Sequence, residues 1–126
     1  MIKKLYEAAK KIQKNSYSPY SGYKVAAALL TDKNQIVAGI NVENASYGGT
    51  ICAERSAIVT AVGQGAKHIK SILVLTNSKT PWPPCGLCLQ VMAEFMAPNT
   101  PVHLANQKGI KKTYKLKDLL PKAFKL

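Results

Sequence analysis

Cys52, Cys85 and Cys88 are the only thiols in the 126-residue chain. Three cysteines cannot all pair within one chain, and a reducing compartment would keep them as thiols. That leaves packing, nucleophilic or metal-binding roles. Cys85 and Cys88 stand three residues apart at the start of an expected helix, a spacing that puts both side chains on one face, where they can share an ion. Cys52 also falls at an expected helix start, and a helix N-terminus favours thiolate over thiol. By itself a Cys-x-x-Cys pair is compatible with a redox dithiol, half of a structural zinc site or coincidence. Three protein ligands with a fourth position open describe a catalytic zinc, whereas structural zinc usually takes four. His68, after a glycine-rich helix end, and His103, in an expected strand, are read as structural rather than as ligands.

Charge narrows the field of partners. With 18 basic and 6 acidic residues the formal net charge is +12, which raises the question of a nucleic-acid partner. The lysines are scattered from Lys3 to Lys125, without interleaved aromatic residues that would stack on bases. A solvated basic surface is therefore expected, and no nucleic-acid partner. Arg55 is the only arginine, and it lies beside Cys52, where lysine would be a poor substitute for a fixed planar fork.

The elements that must position these groups read as follows. Length points to a single domain spanning residues 1–126, and 47% hydrophobic with 19% charged residues suits a globular chain with a real core. No apolar run approaches the ~18 residues of a membrane span, and residues 1–14 lack the apolar block of a signal peptide, so a cytoplasmic location is expected. Ile2, Leu5, Tyr6, Ala9 and Ile12 recur at helical intervals and predict an amphipathic helix over 2–14. Residues 17–22 form a breaker-rich loop. Strands are expected at 23–30 and 35–41, joined as a hairpin through Asp32-Lys33-Asn34. A helix over about 52–62 ends at Gly63 and Gly65. A short apolar strand at 71–76, a rigid loop holding Pro81, Pro83 and Pro84, a helix over about 85–96, a strand at 102–105 and a short helix near 116–120 complete the chain. Trp82, between prolines, reads as a packing or interface residue. Alternating strands and helices imply an α/β fold, a sheet covered by helices.

Cys52-Ala53-Glu54 changes the meaning of the Cys-x-x-Cys pair. Followed by Pro84-Cys85-Gly86-Leu87-Cys88, it resembles the His/Cys-x-Glu and Pro-Cys-x-x-Cys elements of the zinc deaminases. The likeness extends over nearly the whole chain: Ser18-Pro19-Tyr20-Ser21, Val25-Ala26-Ala27-Ala28, Asn41-Val42-Glu43-Asn44-Ala45-Ser46-Tyr47, Cys52-Ala53-Glu54-Arg55-Ser56-Ala57, Gln90-Val91-Met92-Ala93-Glu94-Phe95 and Leu119-Leu120-Pro121-Lys122-Ala123-Phe124 are similar to segments of the small homotetrameric cytidine deaminases. That resemblance implies a three-layer α/β/α sandwich around a central mixed sheet of about five strands. It implies hydrolytic deamination of cytidine and deoxycytidine in pyrimidine salvage, with one Zn2+ per chain.

The same resemblance suggests roles for particular residues. Zinc would be held by Cys52, Cys85 and Cys88 and would bring the pKa of bound water toward about 7. Glu54 would shuttle protons to N3 and to the departing ammonia. Three thiolates leave excess negative charge on one divalent ion, and Arg55 is the expected counterbalance, through hydrogen bonds to cysteine sulfur. Asn41 and Glu43 match a ribose-recognition pair, two apart on an extended segment and so pointing to one side. Tyr23 stands where the family typically places phenylalanine against the pyrimidine. Ala45 would offer backbone contacts, Tyr47 would reach a neighbouring subunit's pocket, and Phe124 would close over substrate from another subunit. One departure stands out: Leu89 replaces the arginine usual after the second cysteine of the pair, leaving Arg55 without its customary companion.

Other functions remain open on sequence grounds. The same chemistry could serve a blasticidin-like aminopyrimidine nucleoside or cytosine within RNA or DNA, although Asn41 and Glu43 favour free nucleosides. A non-enzymatic zinc module binding polyanions would require a closed four-ligand site and salt-sensitive binding, and the chain has no fourth cysteine.

Overall fold

The computed structural model describes all residues, Met1–Leu126. Its elements in chain order are α1 (Ile2–Gln13), β1 (Val25–Thr31), β2 (Ile36–Ile40), α2 (Ala53–Gly63), β3 (Ile69–Thr76), α3 (Gly86–Phe95), β4 (Pro101–Asn106), β5 (Gly109–Lys115) and α4 (Leu116–Leu119), with a single 3₁₀ turn at Tyr47–Gly49. The strands form one sheet in the order β2-β1-β3-β4-β5. Only β3 and β4 run parallel; the other neighbours are antiparallel. No helix is long and apolar enough to cross a membrane.

Side-chain alternation splits the core into two layers, because successive strand residues point to opposite faces. On one face Ala26 and Ala28 of β1, Leu73 and Leu75 of β3 and Ala105 of β4 close over Leu5 and Ala9 of α1. On the other, Ala27, Leu29, Ile72, Val74, Val102 and Leu104 meet Ala57, Ile58 and Ala61 of α2 and Cys88, Leu89 and Met92 of α3. Both faces of β1 and β3 are covered, which is why their sequences are continuous apolar runs rather than alternating ones. The expected three-layer sandwich with a mixed five-stranded sheet is what the chain forms.

Besides β3, which starts at Ile69 rather than Ser71, two details differ from the sequence reading. The first strand begins at Val25 rather than Tyr23, because side chains take over the backbone groups ahead of it. Asn41 Nδ2 donates to the Tyr23 carbonyl at 2.8 Å, and Asn77 Oδ1 accepts the Lys24 N–H at 3.1 Å. The second difference is β5, which the pattern did not predict. Its residues are mostly exposed and include Lys111, Lys112 and Lys115. It is an edge strand whose ladder with β4 supplies the order that apolar alternation does not, and its lysines blunt the free edge.

Position of α2 depends on Gly39 in β2. A Cβ there would stand 2.4 Å from the Ala57 backbone nitrogen and 2.9 Å from the Ala53 carbonyl oxygen. The helix thus lies directly on the strand backbone, fixing the height at which its N-terminus meets the sheet edge. Gly39→Ala should force α2 outward and lower stability by roughly 1–3 kcal/mol. Urea unfolding would check this, and an unshifted midpoint would mean that α2 lifts off the sheet without cost.

Candidate metal centre and pocket

Cys52 is the N-cap of α2 and Cys85 the N-cap of α3, both with extended backbone, and Cys88 lies in the first turn of α3. Antiparallel pairing sets Val25 of β1 opposite Thr76 of β3 and Ala26 opposite Ile40 of β2. The start of β1 and the ends of β2 and β3 therefore share one sheet edge. The chain leaving β2 leads to α2 and the chain leaving β3 leads to α3, so both helix N-termini arrive at that edge. Two positive dipole ends there stabilise negative sulfur.

The three sulfurs lie within 4.8 Å of one another. Cys52 and Cys85 are 3.9 Å apart and Cys85 and Cys88 are 3.6 Å apart. A tetrahedral ion with Zn–S bonds of about 2.3 Å requires sulfurs about 3.8 Å apart. The donor set fits zinc in element, number and spacing, and no fourth histidine, cysteine or carboxylate joins it. Cys52 and Cys85 also line a cavity of about 280 Å³, as does Glu54. Two of the three sulfurs and the Glu54 side chain thus share one pocket rather than lying wholly in the core.

Arg55 sits against this cluster. Its Nη2 donates to the Thr50 carbonyl at 2.9 Å and to Cys52 Sγ at 3.7 Å. A hydrogen bond with Cys88 brings the Cys52 thiol down to about 5 against the opposing effect of burial, and Arg55 adds to the pull. Cys88, which shares its proton in that bond and is also buried, is pushed up. Contact with Cys52 in turn raises Arg55, so its charge is permanent.

Glu54 follows in the first turn of α2 and is only 5% exposed. Burial raises its carboxyl to about 7; the nearby Cys52 charge acts in the same sense, and Arg55 opposes it. A group balanced between its two protonation states near neutrality can both accept and return a proton.

The rest of the cavity wall comes from the start of β1 and the segment after β2: Ser21, Tyr23, Val25, Asn41, Glu43 and Thr50 are there, with Trp82 and Pro83 on the side leading to Cys85. Asn41 Oδ1 accepts from the Val25 N–H at 3.0 Å and from the Ser16 hydroxyl, while its Nδ2 holds the Tyr23 carbonyl. One amide N–H of Asn41 remains. Glu43 Oε1 accepts from the backbone of Tyr20 at 3.0 Å and of Ser21 at 3.1 Å, and Oε2 accepts the Ser21 hydroxyl. The Ser21 hydroxyl, opposed by burial and helped by the two backbone donors, lowers the Glu43 pKa. Both residues thus shape the pocket as well as line it.

Other residues singled out in the sequence lie elsewhere. Ala45, Tyr47 and Phe124 do not line this cavity within one chain. Tyr47 is 70% exposed and packs edge-on against Tyr20 at 5.4 Å, and Phe124 is 68% exposed, with backbone hydrogen bonds to Gln90. Leu89 is buried in the α2–α3 core. His103 bonds Thr113 across the β4–β5 ladder at 2.8 Å, and burial lowers its pKa; His68 gives its carbonyl to Asp32. Trp82 is the residue that the sequence undervalued: it packs on Tyr23, as a packing residue would, but it also forms pocket wall. Its only sequence signal was proximity to Cys85.

Three sulfurs spaced for zinc with no fourth protein ligand, beside a pocket at the end of an α/β/α sandwich, define a catalytic rather than a structural zinc site. The family model of the cytidine and deoxycytidylate deaminase zinc-binding region matches residues 1–104. A cytidine deaminase of Halalkalibacterium halodurans is 42% identical over 120 residues, covering 95% of this chain and 91% of that protein. One from Sporosarcina psychrophila is 42% identical over 98% of this chain and 90% of its own length. A crystal structure of cytidine deaminase from Burkholderia pseudomallei superposes with a TM-score of 0.92 at 42% identity, covering 98% of this chain and 99% of that one. The chain belongs to the cytidine and deoxycytidylate deaminase family.

Arg55→Gln should lower zinc affinity or turnover by about 10- to 100-fold, as loss of an outer-shell partner commonly does, while circular dichroism stays native. Chelator competition and steady-state kinetics check it; no change in either would show that the helix termini alone balance the sulfur charge.

Proposed function

We propose that this chain hydrolyses cytidine and deoxycytidine to uridine and deoxyuridine, releasing ammonia. One observation carries the reading: of three sulfurs spaced for zinc, two line a pocket that a buried carboxyl group, Glu54, lines with them. Zinc, when bound by Cys52, Cys85 and Cys88, supplies Lewis-acid activation of water toward C4 of the pyrimidine. Glu54 takes a proton from the attacking water, delivers it to N3, and then assists transfer to the amino group so that it leaves as ammonia. The balance is one water consumed and one ammonia released per nucleoside. Arg55 offsets the negative charge of the sulfurs throughout.

Asn41 and Glu43 hold the sugar hydroxyls, the remaining amide N–H of Asn41 donating and the remaining lone pair of Glu43 Oε2 accepting. Tyr23 packs on the pyrimidine. Ala45 contributes backbone contacts. The exposure of Tyr47 and Phe124 supports their service in pockets of neighbouring subunits, within a homotetramer. Residues 1–126 act as one catalytic domain, in the cytoplasm and in pyrimidine salvage. Asn41 and Glu43 on the pocket wall support a free nucleoside over a polynucleotide.

Purified protein should contain about one zinc per chain and should convert cytidine, but not a cytosine-containing oligonucleotide, in an absorbance assay. Glu54→Gln should keep the zinc and lose about 10²- to 10⁴-fold in rate. Near-normal turnover by a zinc-replete Glu54→Gln protein would remove the carboxyl group from the mechanism. Absence of any cytidine conversion by the zinc-loaded parent would overturn the function.

A further inference from the structure

Trp82 is the only tryptophan in the chain and lines the pocket while remaining 41% exposed. Its ring lies 4.4 Å from that of Tyr23, with the two planes 73° apart. Edge-to-face contact of this kind is a favoured aromatic geometry and fixes each ring against the other. The backbone adds rigidity: Pro81 and Pro83 flank Trp82 and Pro84 follows, so the loop has few backbone conformations open to it. That loop leads directly into Cys85, the N-cap of α3. Trp82 is therefore held in register with the metal centre at one end and with Tyr23 at the other.

We infer that Trp82 is a specificity-determining residue of the pocket, the second wall of an aromatic corner that measures a flat single-ring base. This rests on the reading of the chain as a nucleoside deaminase. Two nearly perpendicular aromatic planes act differently on a planar guest. A ring lying flat on one of them presents its rim to the other. Stacking gives affinity and is tolerant of substituents, but the rim contact is a steric limit. A hydrogen on that rim is accepted, and a methyl group or a second fused ring is refused. Trp82, on the stretch next to Cys85, sets that limit close to the reacting end of the base. It touches no reacting atom, so its removal acts on binding and on selection more than on the chemical step.

The uniqueness of Trp82 makes the test direct. Saturating uridine, the deamination product, should change the tryptophan emission of the zinc-loaded parent protein over the concentration range in which uridine inhibits turnover. Trp82→Ala should raise the KM for cytidine by about tenfold, the equivalent of one lost aromatic contact, with a smaller effect on kcat. It should also raise the ratio of kcat/KM for 5-methylcytidine to that for cytidine. Trp82→Phe, which keeps an aromatic wall, should restore most of the cytidine KM and act as the control should Trp82→Ala fold poorly. Emission indifferent to uridine, or substrate ratios unchanged in both variants while the parent deaminates cytidine normally, would overturn the inference. A zinc-loaded parent that does not deaminate cytidine at all would instead refute the underlying function.

Discussion

Three sulfurs within 4.8 Å of one another cannot all carry charge unless opposite charge is built in beside them. Two unit charges 4 Å apart repel by about 4 kcal/mol at the effective dielectric of a protein surface region, and three make three such pairs. Compensation comes from the zinc the sulfurs are spaced for, from the N-termini of α2 and α3 and from the Arg55 guanidinium. None of these works at a distance, so each must be held in place against a force that drives the ligands apart. That is the mechanical task of the sandwich. Gly39 lets α2 rest on the backbone of β2, and Leu89 and Met92 bury α3 against the same core. Leu89, directly after Cys88, is buried in this core, and Arg55 is the side-chain cation that reaches the sulfurs.

A second layer of order surrounds the centre. Asn41 and Glu43 spend most of their hydrogen-bonding capacity on the chain itself, tying Ser16, Tyr20, Ser21, Tyr23 and Val25 into one wall. Buried polar groups must be satisfied to be tolerated, and here the satisfaction builds the pocket. The geometry that a nucleoside would meet is formed before it arrives, which reduces the ordering cost of binding. The same residues that line the cavity therefore also determine its shape, and altering either one changes both at once.

The parts of this arrangement legible in the sequence are those governed by local rules. Cys52 and Cys85 sit at helix starts because the flanking periodicity and the prolines say where the helices begin, and both prove to be N-caps. Continuous apolar runs marked β1 and β3 as strands, and the structure covers both on two faces. β5 was not legible, because Gly109–Lys115 is ordered by its ladder to β4 and carries almost no buried residue. The start of β1 was misjudged by two residues because Asn41 and Asn77, distant in sequence, capture the backbone of Tyr23 and Lys24. Trp82 belongs to the same class: a proline-rich loop says that the chain is stiff but not which wall it forms. Convergence of the sulfurs was anticipated through motif resemblance, since Cys-x-x-Cys spacing alone left a redox dithiol, half of a structural zinc site and coincidence all open.

Charge placement separates two jobs that the composition merges. Every lysine is exposed, whereas the single arginine is half-buried beside the sulfurs. A neutral pyrimidine nucleoside gains nothing from long-range attraction, and lysine charges more than about 8 Å away are largely screened at physiological ionic strength. No lysine lines the pocket of the metal centre. Within the centre the requirement is reversed. An ammonium ion taken from water beside buried sulfur would be strongly dehydrated and prone to give up its proton. A guanidinium is more weakly hydrated and keeps its charge, and its Nη2 reaches both the Thr50 carbonyl and Cys52 Sγ. A chain that meets every surface need for positive charge with lysine uses arginine at the one position where the cation must be both partly dehydrated and permanent.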